Sequence, residues 1–396
     1  MTTLAQAAAR AREDEHFIAN GPLRVSQLQA QFPHANRASL RDLIAAMRAR
    51  SAIARPFAVI FCRFKGDDPH PDEARWEAFF REAFKPGTGG FVDFWRDASL
   101  GKVDVSGTRF FGWIEVDIAR ADAGYVEHPP PGVPQVDRTV LTNAAIRAVQ
   151  AADGDPITGF FKQISLYMYG RTKDGPGGLA IDGSADGDGK INMTAPFFGD
   201  ITAHEMGHSL GMRHDADVAG DTNYHDPCCV MSQGGPFPQM PWNVNFGCPV
   251  CLPHLTIQGW MYQRRMLFDG GAWAADPKGI TFRLTPNTTP AVPAFLGASL
   301  AIPQSTPAWS YLLEIVTATG WNRAVLHAPC LLVRRVAERN DLGINTPTNM
   351  FLARVPVDPA GAPTVYHDPS GHTMFTVSLD SVGGPVFKVQ AVRESD

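Results

Sequence analysis

The chain has 396 residues, enough for two or three domains and a sizeable buried core. Hydrophobic residues make up 44% and charged residues 19%, the balance of a soluble globular protein and not of a disordered or fibrous one. A net charge of −5 excludes a basic nucleic-acid footprint, and no apolar run approaches the roughly eighteen residues that a membrane-spanning helix needs.

Residues 1–55 are predicted to form a helical N-terminal extension. Residues 5–18 are rich in Ala and Arg, and residues 25–32 form a short amphipathic piece. Leu40, Leu43, Ile44 and Met47 mark one face of a helix over 39–48. Three short helices in this order allow a winged-helix reading, but the acidic balance favours a helical cap or propeptide-like extension. The first residues lack a charged start followed by an apolar core, so no Sec signal peptide is expected. On that reading the chain acts in the cytoplasm or leaves by a signal-independent route.

Arg55-Pro56 marks a boundary. Residues 57–64 are an apolar run of strand length and read as a first central strand. Residues 73–84 read as a helix with Trp76, Phe79, Phe80 and Phe84 on one face. A short helix and a strand follow within 91–107, then a second strand over 110–118. An amphipathic helix spans 139–152 and a third strand 163–169. Residues 170–199 are loop-rich. Ser184, Asp186, Asp188 and Gly189 partly fit positions 1, 3, 5 and 6 of an EF-type Ca²⁺ loop. Position 12 is Ala195 where a carboxylate is needed, and a solvated Gly/Asp turn is the competing reading.

Residues 203–215 read A-H-E-M-G-H-S-L-G-M-R-H-D. His204 and His208 are one helical turn apart, so both imidazoles lie on one face and can share one Zn²⁺. Glu205 points roughly 100° further round the helix. It is placed to take a proton from a metal-bound water without ligating the metal. His214 comes six residues after His208, and a straight helix would carry it away. Gly211 resolves this, because it can take a positive φ, end the helix and let the chain bend back. Three His ligands leave a fourth position open, the arrangement of a catalytic zinc.

After this stretch, Cys228, Cys229, Cys248 and Cys251 fall within 24 residues. Disulfides tying this loop to the next segment, thiols, and a second metal site are all open; disulfides are favoured over a structural zinc, because the adjacent Cys228 and Cys229 lack the two-to-four-residue spacing of a zinc pair. Disulfides would imply an oxidising compartment. Cys62 and Cys330 read as lone buried thiols. His225 and His254 read as surface or core histidines, and Trp242 and Trp260 as core. From about residue 270, short strands alternate with Gly/Pro/Asn turns, which predicts an all-β, sandwich-like domain over 269–396.

The extended H-E-x-x-H-x-x-G-x-x-H motif resembles the zinc helix of the metzincin metallopeptidases, and with Asp215 after the third ligand it is most similar to the adamalysin form. Cys229-Val230-Met231 resembles the methionine turn of that family. Gln233 stands where astacin-like and serralysin-like members carry a tyrosine. Residues 91–107 and 310–336 are similar to segments of immune-inhibitor-A-like metallopeptidases. The resemblance implies an α/β (α+β) metzincin-like catalytic domain over 56–268, with a twisted mixed sheet and an edge strand that pairs with extended substrate. It implies a zinc endopeptidase with His204, His208 and His214 as metal ligands, Glu205 as the catalytic base and proteins or peptides as substrates. A zinc-binding protein without peptidase activity, engaging a partner through its β-rich half, is the alternative.

Overall fold

The computed structural model describes residues 52–119, 138–154, 157–168, 184–185, 189–195, 197, 199–212, 214, 226–232, 248–261, 265–286, 294–305, 309–322, 326, 328–337, 349–368, 372–380 and 386–394. The predicted N-terminal helices lie outside this set, as do Asp186, Asp188, Asp215, His225, Gln233 and Trp242.

A central mixed sheet grows from the most apolar strand. In β2 (Phe57–Arg63) every residue but the last is buried, so the strand has no face for solvent. It pairs in parallel with β4 (Arg109–Glu115) on one side and β5 (Lys162–Tyr167) on the other. β5 pairs in parallel with β7 (Ile191–Thr194), and the two-residue β6 (Ser184–Ala185) closes the edge antiparallel to β7. The order is β4-β2-β5-β7-β6.

Alternating residues of β2 face two different cores. Phe57, Val59 and Phe61 pack with α1 (Glu73–Ala83), α2 (Phe91–Ala98) and α4 (Gly199–Ser209), while Ala58, Ile60 and Cys62 pack with α3 (Arg138–Asp153). The aromatic face expected on α1 is buried here: Phe80 is edge-on to Phe61 at 6.1 Å and to Phe197 at 5.6 Å. Burial of one such ring stabilises the fold by about 1.5–3 kcal/mol. The end of the predicted helical extension is not helical: β1 (Ile53–Ala54) is extended and pairs in parallel with β3 (Val103–Asp104). Pro56 follows directly and has no N–H to continue a helical ladder.

The C-terminal half is two facing sheets. One has the order β13 (Asn349–Pro356), β12 (Cys330–Ala337), β11 (Trp309–Val316), β10 (Gly297–Ala301), β8 (Met266–Asp269). The other has the order β14 (Thr364–Asp368), β15 (Thr373–Leu379), β16 (Phe387–Arg393), β9 (Ile280–Leu284). Leu300, Tyr311, Leu313, Val333, Phe375 and Val389 are among the side chains of the core between them. β8 starts at Met266, so this unit takes in three residues that the sequence reading placed in the preceding domain. β11 is buried on both faces: Leu313 enters the sandwich core, and Leu312 enters the core that holds α4. The sandwich therefore sits directly on the unit that carries the histidines. The whole is a mixed α/β protein, and no helix among the described residues is long and apolar enough to cross a membrane.

Candidate metal centre

α4 ends as the sequence requires. Gly211 has φ 88°, Gly211 N–H donates to His208 O at 2.9 Å and Met212 N–H donates to Gly207 O at 3.0 Å. This pair of bonds closes a helix C-terminus through a left-handed residue and turns the chain. His214 then returns to the face that carries His204 and His208. His208 Nε2 lies 3.1 Å from His204 Nε2 and 2.9 Å from His214 Nε2.

The tautomers can be assigned from the outer nitrogens. His204 Nδ1 is 2.7 Å from Val230 O, and His208 Nδ1 is 2.9 Å from Met212 O. A carbonyl only accepts, so both Nδ1 atoms carry the proton and both Nε2 atoms present lone pairs. Two lone pairs at 3.1 Å repel unless a cation lies between them. Tetrahedral Zn²⁺ with N ligands at about 2.0–2.1 Å sets its nitrogens about 3.3 Å apart, close to what is observed. The donor set fits zinc.

His208 is half-buried, and burial lowers its pKa; the Met212 carbonyl acts the other way and His254 lowers it further. The neutral imidazole that a ligand must be is therefore favoured. Glu205 is also buried, on the same helix turn as His204. Met231 lies against Gly207 of the helix. The segment that bears it is tied to the next one by Val230 N–H donating to Pro249 O at 3.1 Å.

The cysteine cluster differs from the expected disulfides. All six cysteines are thiols. The adjacent Cys228 and Cys229 face different cores, and so do Cys248 and Cys251. Cys228 meets Cys248 in a pocket with Cys330, and this neighbouring thiol, together with burial, pushes Cys248 well up. Cys229 and Cys251 instead meet His254, with the three donor atoms within 4.8 Å of one another. His254, read from sequence as a surface or core histidine, belongs to a group of three.

The calcium reading meets an obstacle in β7. Ile191–Thr194, the second half of the EF-type loop, is a strand of the central sheet. Asn192, its ninth position, donates from Nδ2 to Thr142 Oγ1 at 2.9 Å instead of turning back to the loop.

Sequence reasoning also missed a buried charge cluster that joins the cysteine segments to the sandwich. Arg334 of β12 is fully buried; its Nε donates to Asp226 Oδ2 at 2.6 Å and its Nη1 to Glu314 Oε1. Glu314 Oε1 accepts from Leu252 N–H at 3.2 Å, and Asp226 Oδ1 accepts from Cys228 N–H at 2.9 Å. An Arg that directly follows the apolar run Cys330-Leu331-Leu332-Val333 was the available signal, because a strand buried on both faces holds an Arg only with partners.

No protein-family model matches this chain, and no curated protein matches it. Among solved structures, the chain is similar to wild-type OgpA from Akkermansia muciniphila, at 10% identity and a TM-score of 0.29 over 86% of this chain and 94% of that one.

Proposed function

We propose that this protein is a zinc-dependent endopeptidase of metzincin type. The convergence of three imidazole Nε2 atoms beside Glu205 carries the proposal. His204, His208 and His214 would hold the metal. Zn²⁺, when bound, supplies an acidified water and polarises a substrate carbonyl. Val230 O and Met212 O hold the ligand tautomers that this requires. Glu205 takes a proton from the attacking water and hands it to the leaving amine. Its burial keeps that transfer away from bulk solvent, where a competing exchange would discharge it. The edge strand β6, antiparallel beside β7 and close to α4, offers backbone groups that can pair with an extended peptide. Met231 packs as an apolar floor without a ligand role.

The test compares wild type with Glu205→Ala on casein and gelatin, together with zinc content. Wild type should cleave, lose activity to phenanthroline and regain it with Zn²⁺. Glu205→Ala should keep its zinc and lose cleavage by at least about a hundredfold, the scale of a removed general base. Equal cleavage by the variant would overturn the mechanism. Zinc bound with no cleavage by wild type would favour the partner-binding alternative.

A further inference from the structure

We propose that Cys229, Cys251 and His254 form a second metal site, built for zinc or a similarly thiophilic ion and separate from the three-histidine centre. Their donor atoms lie within 4.8 Å of one another, the span that one ion can bridge. Two thiolates and one imidazole select zinc, iron or copper over calcium or magnesium. All three side chains are buried, with exposures of 0%, 1% and 7%. Two thiolates offset the charge of a divalent ion, so the loaded site is neutral and its burial costs little.

The arrangement is also mechanical. Cys251 and His254 are three residues apart at the start of α5 (Leu252–Ile257), so one turn of chain puts both on one side. Cys229 comes from the segment whose next residue, Val230, accepts from His204 and whose second neighbour, Met231, supports α4. An ion here joins α5 to the loop that orients a ligand of the other centre. A Cys229–Cys251 disulfide would leave the convergence of His254 without a role. Three protein donors leave the fourth place of a tetrahedron to a small ligand such as water.

The experiment loads the reduced full-length chain with Co²⁺ or Zn²⁺ and reads optical spectrum and metal content. A thiolate-to-cobalt charge-transfer band is expected in the near ultraviolet, and three imidazoles cannot produce one. It should persist in His204→Ala/His208→Ala and in Cys228→Ser, and vanish in Cys229→Ser/Cys251→Ser. Zinc should fall from two per chain to one in either double variant. Should the serine variants fail to fold, wild type decides alone: zinc-edge X-ray absorption should show sulfur neighbours at about 2.3 Å. Absence of sulfur scattering and of the band in wild type overturns the inference. So does a band that survives Cys229→Ser/Cys251→Ser, or a Cys229–Cys251 disulfide in reduced, zinc-treated protein. One zinc per chain, with sulfur scattering and independent of His204 and His208, upholds this site while removing the peptidase reading.

Discussion

The thioether of Met231 occupies the space that a side chain on Gly207 would need. A Cβ on Gly207 would run into Met231 Sδ, with Met231 Cε 3.3 Å away and Met212 Cε 3.4 Å away. Gly207 therefore sits inside α4, where glycine costs helix stability, because only hydrogen lets the floor approach the helix. Gly207→Ala should lower unfolding free energy by about 1–3 kcal/mol, the usual cost of overpacking, despite its better helix propensity. Adding Met231→Ala should recover part of that loss in a double-mutant cycle measured by urea unfolding. A stabilised Gly207→Ala single variant would show that the contact is not tight.

Arg334 carries a larger consequence. Burial alone would pull its pKa down, but Asp226 and Glu314 outweigh that and hold it well above the ordinary arginine value. Removing it with Arg334→Met leaves two carboxylates buried without their counter-charge, at a cost of about 3–5 kcal/mol. Burial raises the Glu314 pKa, against the lowering by Arg334. Without Arg334 the carboxyl rises further, so the folded variant binds protons that the unfolded chain releases. Its stability should fall as pH rises above the ordinary carboxylate range, fully present below it. Thermal melts of Arg334→Met between acidic and neutral pH check the sign, and a variant that gains stability with pH contradicts it.

The histidine centre and this charge cluster differ in how far sequence can reveal them. The three histidines within His204–His214 are brought together by helical period and one glycine turn, which are local rules. Gly211 at φ 88° is where those rules act. Arg334, Asp226 and Glu314 come from a strand, a loop and another strand, and no local rule joins them. The cysteines fail differently. Spacing alone could not say which cysteines meet, because in extended or turning chain successive side chains point apart. Each neighbour pair is divided between two cores. β2 and the sandwich strands were legible because period-two and all-apolar runs report burial directly. β6, two residues long, carries too little pattern to be seen.

Cys330, which the sequence left alone but which packs with Cys228 and Cys248, and Cys62 should both be chemically quiet. Burial pushes Cys330 up to about 11, with Arg354 acting against it and Cys228 with it. Burial also raises Cys62, well beyond reach at neutral pH. Only thiolate reacts with alkylating reagents. Native protein at mildly alkaline pH should therefore show slow modification at Cys62 and Cys330 by mass spectrometry, and both should modify quickly in denaturant. Rapid native labelling of Cys62 would mean that the β2–α3 core opens readily.

Ser209 offers a way to separate the proposed substrate binding from the proposed metal binding. Its hydroxyl donates to Gly189 O at 2.6 Å, and Gly189 approaches so closely that a Cβ there would stand 2.9 Å from Ser209 Cα. Gly189 also has φ 73°, which glycine takes without strain. The end of α4 is thereby fastened to Gly189, two residues before β7, the neighbour of the edge strand β6. Ser209→Ala leaves a buried carbonyl without this donor, a loss of about 1–3 kcal/mol. None of the three histidines depends on that bond, so zinc content should stay at the wild-type level. If extended peptides pair with β6, KM for long substrates should rise several-fold while short substrates change little. Equal effects on long and short peptides would place the loss in general stability and take β6 out of substrate binding.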